Sequence, residues 1–212
     1  MDILQEDTIA AIASPEGRGA IGIVRISGPK TEQILSKIFH PKKPDVQRLS
    51  HVMMRGEIRD DLETIDDVLA VYFRQGASYT GDAMAEIYAH GNPLILSNIL
   101  MLIQRSGARL AEPGEFTFRS YMNGKIDLAQ AEAVNDLIEA QSQWAIQVAH
   151  HQLKGDFSKE MIYLREMLLE MLAHTEAAIS FPGTDAGAQR VSRCSHACAR
   201  NPWCFPNTPR AS

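Results

Sequence analysis

The chain has 212 residues, 45% hydrophobic and 22% charged, which is the make-up of a soluble globular protein of one or two domains. At this size folding removes roughly 70% of the accessible surface, so a core can form without disulfides or a structural metal, and no apolar run reaches the roughly 18 residues of a membrane span. The net charge of -5 is unevenly spread: residues 182–212 hold four arginines against one aspartate, or +3, which leaves -8 on the rest and makes the body a poor grip for a polyanion on its own.

The first residues, Met1 to Asp7, are acidic and unlike a secretory or mitochondrial leader, so the cytoplasm is the expected location. Residues 8–13 and 20–27 are short and rich in Ile and Val, and Pro15, Gly17 and Gly19 lie between them; they predict two strands joined by a turn, with Pro29 ending the second. Over 31–39 the apolar positions Ile34, Leu35, Ile38 and Phe39 predict a short amphipathic helix, closed by the loop Pro41-Lys42-Lys43-Pro44. Strands are predicted at 51–58, 67–74 and 83–90, with Gly76 to Gly81 as the loop before the last, giving a mixed sheet or barrel. From Pro93 to Arg105 apolar residues fall on more than one face, which predicts a largely buried helix terminated by Gly107.

Beyond Lys125 the pattern turns to long helices. Leu128, Ala131, Val134, Leu137, Ile138, Ala145 and Val148 share one stripe that Gly155 stops, and Phe157, Met161, Leu164, Leu168, Met171, Leu172, Thr175 and Ile179 share a second. Two adjacent antiparallel helices, or a partner subunit, would cover these seams. Periodicity ends at Gly183, and the tail is expected to be unstructured and unrelated, the mark of a truncated or frame-shifted end. All three cysteines, Cys194, Cys198 and Cys204, lie in it; with His196 they lack the paired spacings of a zinc site, so no metal is expected, and the cysteine-free remainder suits a reducing compartment.

Two nucleotide motifs fail on inspection. Gly17-x-Gly19-x-x-Gly22 matches the dinucleotide fingerprint, yet the residues after it alternate as a strand, whereas that loop must open a helix to hold a pyrophosphate. Gly124-Lys125 is followed by Ile126 and preceded by no glycine at position 119, so it is no phosphate loop, and this chain should not hydrolyse GTP.

Side chains alternate across a sheet, which puts Met84, Glu86, Tyr88 and His90 on one face and Ala85, Ile87 and Ala89 on the other. The same rule puts Arg25 beside Ile21 and Ile23, half-buried and in need of a carboxylate; Glu86 is the candidate. From the residues alone, a plain ion pair and a ligand site both stand.

Asp7-Thr8-Ile9-Ala10-Ala11-Ile12-Ala13, Gly17 to Gly28 and, above all, Glu115-Phe116-Thr117-Phe118-Arg119-Ser120-Tyr121-Met122-Asn123-Gly124-Lys125-Ile126-Asp127-Leu128-Ala129-Gln130-Ala131-Glu132-Ala133 are similar to the amino-terminal part of the MnmE/TrmE family of tRNA uridine modification GTPases. The resemblance covers residues 3–182. It implies an α+β fold: a folate-binding and dimerisation domain over 1–122, like that of the tetrahydrofolate-binding aminomethyltransferases, then the first two helices of an incomplete helical domain over 123–181. Arg25, Glu86 and Lys125 match the family's folate-contacting positions, with a reduced folate (5-formyl- or 5,10-methylene-tetrahydrofolate) as cofactor and no catalytic residue of their own. A carboxylate suits the N–H donors of the pterin's aminopyrimidine edge, and basic groups suit its carbonyl or the glutamate tail. Lys125 also reads as a solvated charge near a helix start.

For the intact family the resemblance implies an FAD-dependent MnmG-type partner, tRNA, and GTP with magnesium and potassium at a GTPase domain that this chain lacks. Two other functions fit the same residues, a stand-alone aminomethyltransferase-like enzyme and a structural dimer module with a decayed pocket. The second is raised by departures from the family: Thr80-Gly81-Asp82-Ala83 for Thr-Gly-Glu-Asp, Ala89-His90-Gly91-Asn92 for Cys-His-Gly-Gly, and Phe118 for a basic residue. Asn92 is expected to strain its turn if the backbone there needs a glycine conformation.

Overall fold

A computed structural model describes residues 7–42, 50–61 and 63–180. The proposed tail, with its cysteines, lies outside them. The chain divides after Gly155 into two compact units.

The first unit is built on a mixed sheet. Strands β1 (Ile9–Ile12) and β2 (Ile21–Ser27) are followed by helix α1 (Thr31–Ile38), then β3 (Phe39–Pro41), β4 (Met53–Asp60), β5 (Glu63–Phe73) and β6 (Met84–His90). Helix α2 (Pro93–Arg105), the two-residue β7 (Arg109–Leu110) and helices α3 (Glu115–Met122), α4 (Leu128–Glu139) and α5 (Gln143–Leu153) complete it. Among the described residues the sheet runs β3-β4-β5-β6-β2-β1-β7, so of the two expected forms it is the open one. The pairings are antiparallel except β1 with β7. β3 and β7 carry too few residues for a period to show, and α3 is not among the expected elements. β5 begins at Glu63, ahead of the expected 67, because the ladder with β4 resumes past a bulge at Ile58/Arg59.

Alternation decides which face is covered. Val24, Ile26, Ile58, Val68, Ala70, Ala85 and Ile87 point to one side and pack against Ile34, Leu35 and Ile38 of α1 and Leu96, Ile99, Leu102 and Ile103 of α2. α2 is less buried than its composition implies, since Leu94 and Met101 are exposed. Gly22 explains the failed fingerprint in another way: a Cβ there would stand 2.5 Å from Leu96 Cδ1, so the glycine lets α2 close onto β2.

The stripe expected as one helix over 128–148 is two. It breaks at 140–142, where Ser142 adopts an extended backbone and its side chain accepts from Ala145 N to start α5. Asp127 and Gln130 form a capping box at the start of α4. Gln130 Nε2 then donates to Leu153 O at 2.9 Å, joining the start of α4 to the end of α5 in an antiparallel hairpin with Ala133 and Ala149 buried inside. The helical segment therefore has three helices rather than two. The third, α6 (Asp156–Ser180), belongs to the second unit and is one continuous helix, as its stripe predicts.

Candidate functional site

The face of the sheet opposite α1 and α2 carries the polar residues. Register places Ala11, Arg25, Glu86, Val71 and Met53 in one row across β1, β2, β6, β5 and β4. Ile23, Tyr88, Leu69 and Arg55 form the next. The predicted partnership is present: Arg25 Nε donates to Glu86 Oε1 at 2.9 Å, and Nη2 lies 2.8 Å from the same oxygen. Both side chains stay partly open, 28% exposed for Arg25 and 12% for Glu86.

Tyr88, two residues along the same face, donates its hydroxyl to Glu86 Oε2 at 2.7 Å. That bond, together with burial and the Glu86 charge, pushes the phenol up to about 12. The Arg25 guanidinium also lies 5.8 Å from the ring centre of Tyr79 and 5.5 Å from that of Phe116, within cation–π range. The site thus offers a carboxylate with each oxygen engaged, a cation and aromatic rings beside it.

The loop that carries Tyr79 is fastened from two sides. From the sheet, Ser27 Oγ and Thr80 Oγ1 share a hydrogen bond of 2.7 Å. From α3 and its end, Ser120 Oγ donates to Tyr79 O at 2.8 Å, Asn123 Nδ2 to Thr80 O at 2.7 Å and Lys125 Nζ to Gly76 O at 2.6 Å, while Tyr79 and Thr117 hydroxyls meet at 3.1 Å. Gly81, at φ +87, passes so close to Asn123 that a Cβ would lie 2.9 Å from that side chain. Of the three predicted residues, Arg25 and Glu86 are brought into contact. Lys125 is exposed and bonds to the loop, with no ion pair to Glu86.

α3 is held by an ionic lattice in which Glu115 and Arg119 are buried while Asp7 and Arg109 reach the surface. Arg109 donates to both oxygens of Glu115, at 2.6 and 2.8 Å, and Arg119 donates to Glu115 Oε1 at 3.0 Å and to Asp7. Burial alone would raise the Glu115 carboxyl; Arg109, the Glu112 amide and Arg119 outweigh it and hold the group at about 2. Asp82 Oδ2 lies 3.8 Å from Arg119 Nη1, and Asp82 Oδ1 accepts from Asn123 at 3.2 Å, so this departure from the family pattern is built into the support of the loop.

The expected strain at Asn92 is absent. Its backbone is extended, at φ -98 and ψ 123, and its side chain accepts from Leu94 N at 3.0 Å to cap α2 ahead of Pro93. Tyr79, Phe116 and the Tyr88 bond were missed at the level of sequence. Alternation placed Tyr88 beside Glu86, but only the tertiary fold brings residue 116 over strand β2.

Comparison with known proteins gives two family matches: "GTP-binding protein TrmE N-terminus" over residues 8–125 and "MnmE helical domain" over 128–199. Among curated relatives, the tRNA modification GTPase MnmE of Listeria welshimeri is 44% identical over 190 residues, covering 90% of this chain and 42% of that protein. The MnmE proteins of Aquifex aeolicus and Bdellovibrio bacteriovorus are each 47% identical over 180 residues, covering 84% and 83% of this chain and 40% and 37% of theirs. The chain spans about two fifths of the length of these relatives.

Proposed function

Since the chain belongs to the MnmE family of tRNA modification GTPases, with that family's amino-terminal and helical domains, we propose that it is the folate-binding, dimerising module of such a protein. Glu86, Arg25 and Lys125 surround a reduced folate, 5-formyl- or 5,10-methylene-tetrahydrofolate, which supplies a one-carbon unit. The single observation that carries this reading is the partly open Arg25–Glu86 pair on the sheet face opposite α1 and α2, with Tyr79 and Phe116 against the guanidinium. The donor set fits a pterin. A mostly buried carboxylate with one edge open accepts N–H groups of an aminopyrimidine, a guanidinium donates to a carbonyl, and flat rings suit a flat heterocycle.

In the longer protein the same module would act at the wobble uridine of tRNA together with an FAD-dependent MnmG-type partner, with GTP, magnesium and potassium handled by a separate GTPase domain in the cytoplasm. A second copy of the chain would cover the sheet face and close the pocket. Titration of the 212-residue chain with 5-formyltetrahydrofolate tests the reading. Saturable binding that Glu86→Ala abolishes is expected; no saturable binding, or binding indifferent to Glu86→Ala, overturns it.

A further inference from the structure

We propose that Tyr88 is a positioning residue of the ligand site, holding the Glu86 carboxylate for the ligand's N–H donors; this rests on the folate reading above. Capacity is the first reason. A carboxylate has about four acceptor positions, two on each oxygen. Arg25 takes Oε1 through Nε and Nη2, and Tyr88 takes one position on Oε2. An aminopyrimidine edge presents two N–H groups and needs one position on each oxygen. Arg25 must therefore yield one of its two contacts on entry of the ligand, whereas Tyr88 need yield none, since Oε2 retains a second position.

Orientation is the second reason. With both Arg25 contacts on one oxygen, the Tyr88 hydroxyl is the side-chain donor that holds the other, and so sets the rotation of the carboxylate plane. When Arg25 loosens, Tyr88 keeps that plane fixed. The tyrosine is itself well placed: it pairs with Ile23 and Leu69 on the neighbouring strands. Tyr88 also helps line a groove of about 280 Å³ with Ile21, Leu69, Arg55, Asp67 and His90.

Tyr88→Phe keeps the ring and removes only the hydroxyl, so the packing is retained. Calorimetric titration of wild type, Tyr88→Phe and Glu86→Gln with 5-formyltetrahydrofolate is expected to show binding by wild type, roughly tenfold weaker binding by Tyr88→Phe, as for loss of a hydrogen bond to a charged group, and loss in Glu86→Gln. A second readout, which mere packing would not supply, is the ¹³Cζ resonance of Tyr88: in the ligand-saturated wild-type chain it keeps the displacement from its Glu86→Gln value that the bond to Glu86 gives it. Binding by Tyr88→Phe within twofold of wild type, or a ¹³Cζ resonance that moves at saturation to its Glu86→Gln value, overturns the role of Tyr88 and leaves the folate reading intact. Absence of binding by wild type overturns both.

Discussion

Tyr88 carries a measurable sign of its surroundings before any ligand is added. An ordinary tyrosine is largely ionised at about pH 11. With its hydroxyl on Glu86 and its phenol raised to about 12, Tyr88 should still be protonated there, as read from its ¹³Cζ shift. Glu86→Gln should bring its titration back down toward 10.0; a titration indifferent to that change would mean that the bond does not form in solution. Asn92 makes a second residue-scale case. The hydrogen bond to Leu94 N predicts that Asn92→Ala costs about 1 kcal/mol in a denaturant melt while Asn92→Gly costs only a few tenths. Equal losses would point to the backbone rather than the cap. Alternation puts Tyr88 beside Glu86, whereas Asn92 was expected to strain its turn although Asn before Pro is a helix-start signal; the hydroxyl-to-carboxylate bond depends on side-chain rotamers that no periodicity encodes.

At the scale of elements, α3 matters most because it fastens the Tyr79 loop over the sheet. Its anchor is Arg119, whose side chain is only 4% exposed and which meets Asp7 and Glu115. Arg119→Leu leaves the Glu115 and Asp7 carboxylates to Arg109 alone and should destabilise the chain by about 2–3 kcal/mol, the scale of lost hydrogen bonds to charged groups, measured by urea unfolding. Acid should act on the same lattice. Glu115 sits at about 2 in the folded chain against 4.5 unperturbed, so the stabilisation is complete above the higher value and is lost as pH falls from there toward the lower. The amount is on the order of 3 kcal/mol. Glu115→Gln should flatten the acid limb of the stability profile between those two pH values; an unchanged limb would assign acid sensitivity elsewhere. The motif was visible in sequence as an unusual run, but its ionic role was not, because Asp7 is more than a hundred residues away along the chain. The break between α4 and α5 was also missed, since a hydrophobic stripe can pass through a three-residue turn without losing phase.

For the whole molecule, the sheet face opposite α1 and α2 is decisive. Ile21, Met53 and Leu69 stand on it at 66%, 53% and 39% exposure, around the Arg25–Glu86 pair. Apolar residues grouped on one face of a sheet favour association. On the proposal that a second copy covers them, wild type should sediment as a dimer at micromolar concentration and Leu69→Glu as a monomer; a wild-type monomer would remove that part of the proposal. What the sequence determined by itself is the family, the α+β class, the identity of most strands and Glu86 as the candidate partner of Arg25. These follow from motif, period and alternation, which are local or nearly so. What only the tertiary structure decided is the content of the site around that pair. Phe116, the fastened loop with Tyr79 and Lys125, and the lattice from Asp7 to Arg119 come together through contacts between distant segments, and the bond from Tyr88 to Glu86 through rotamers set by packing.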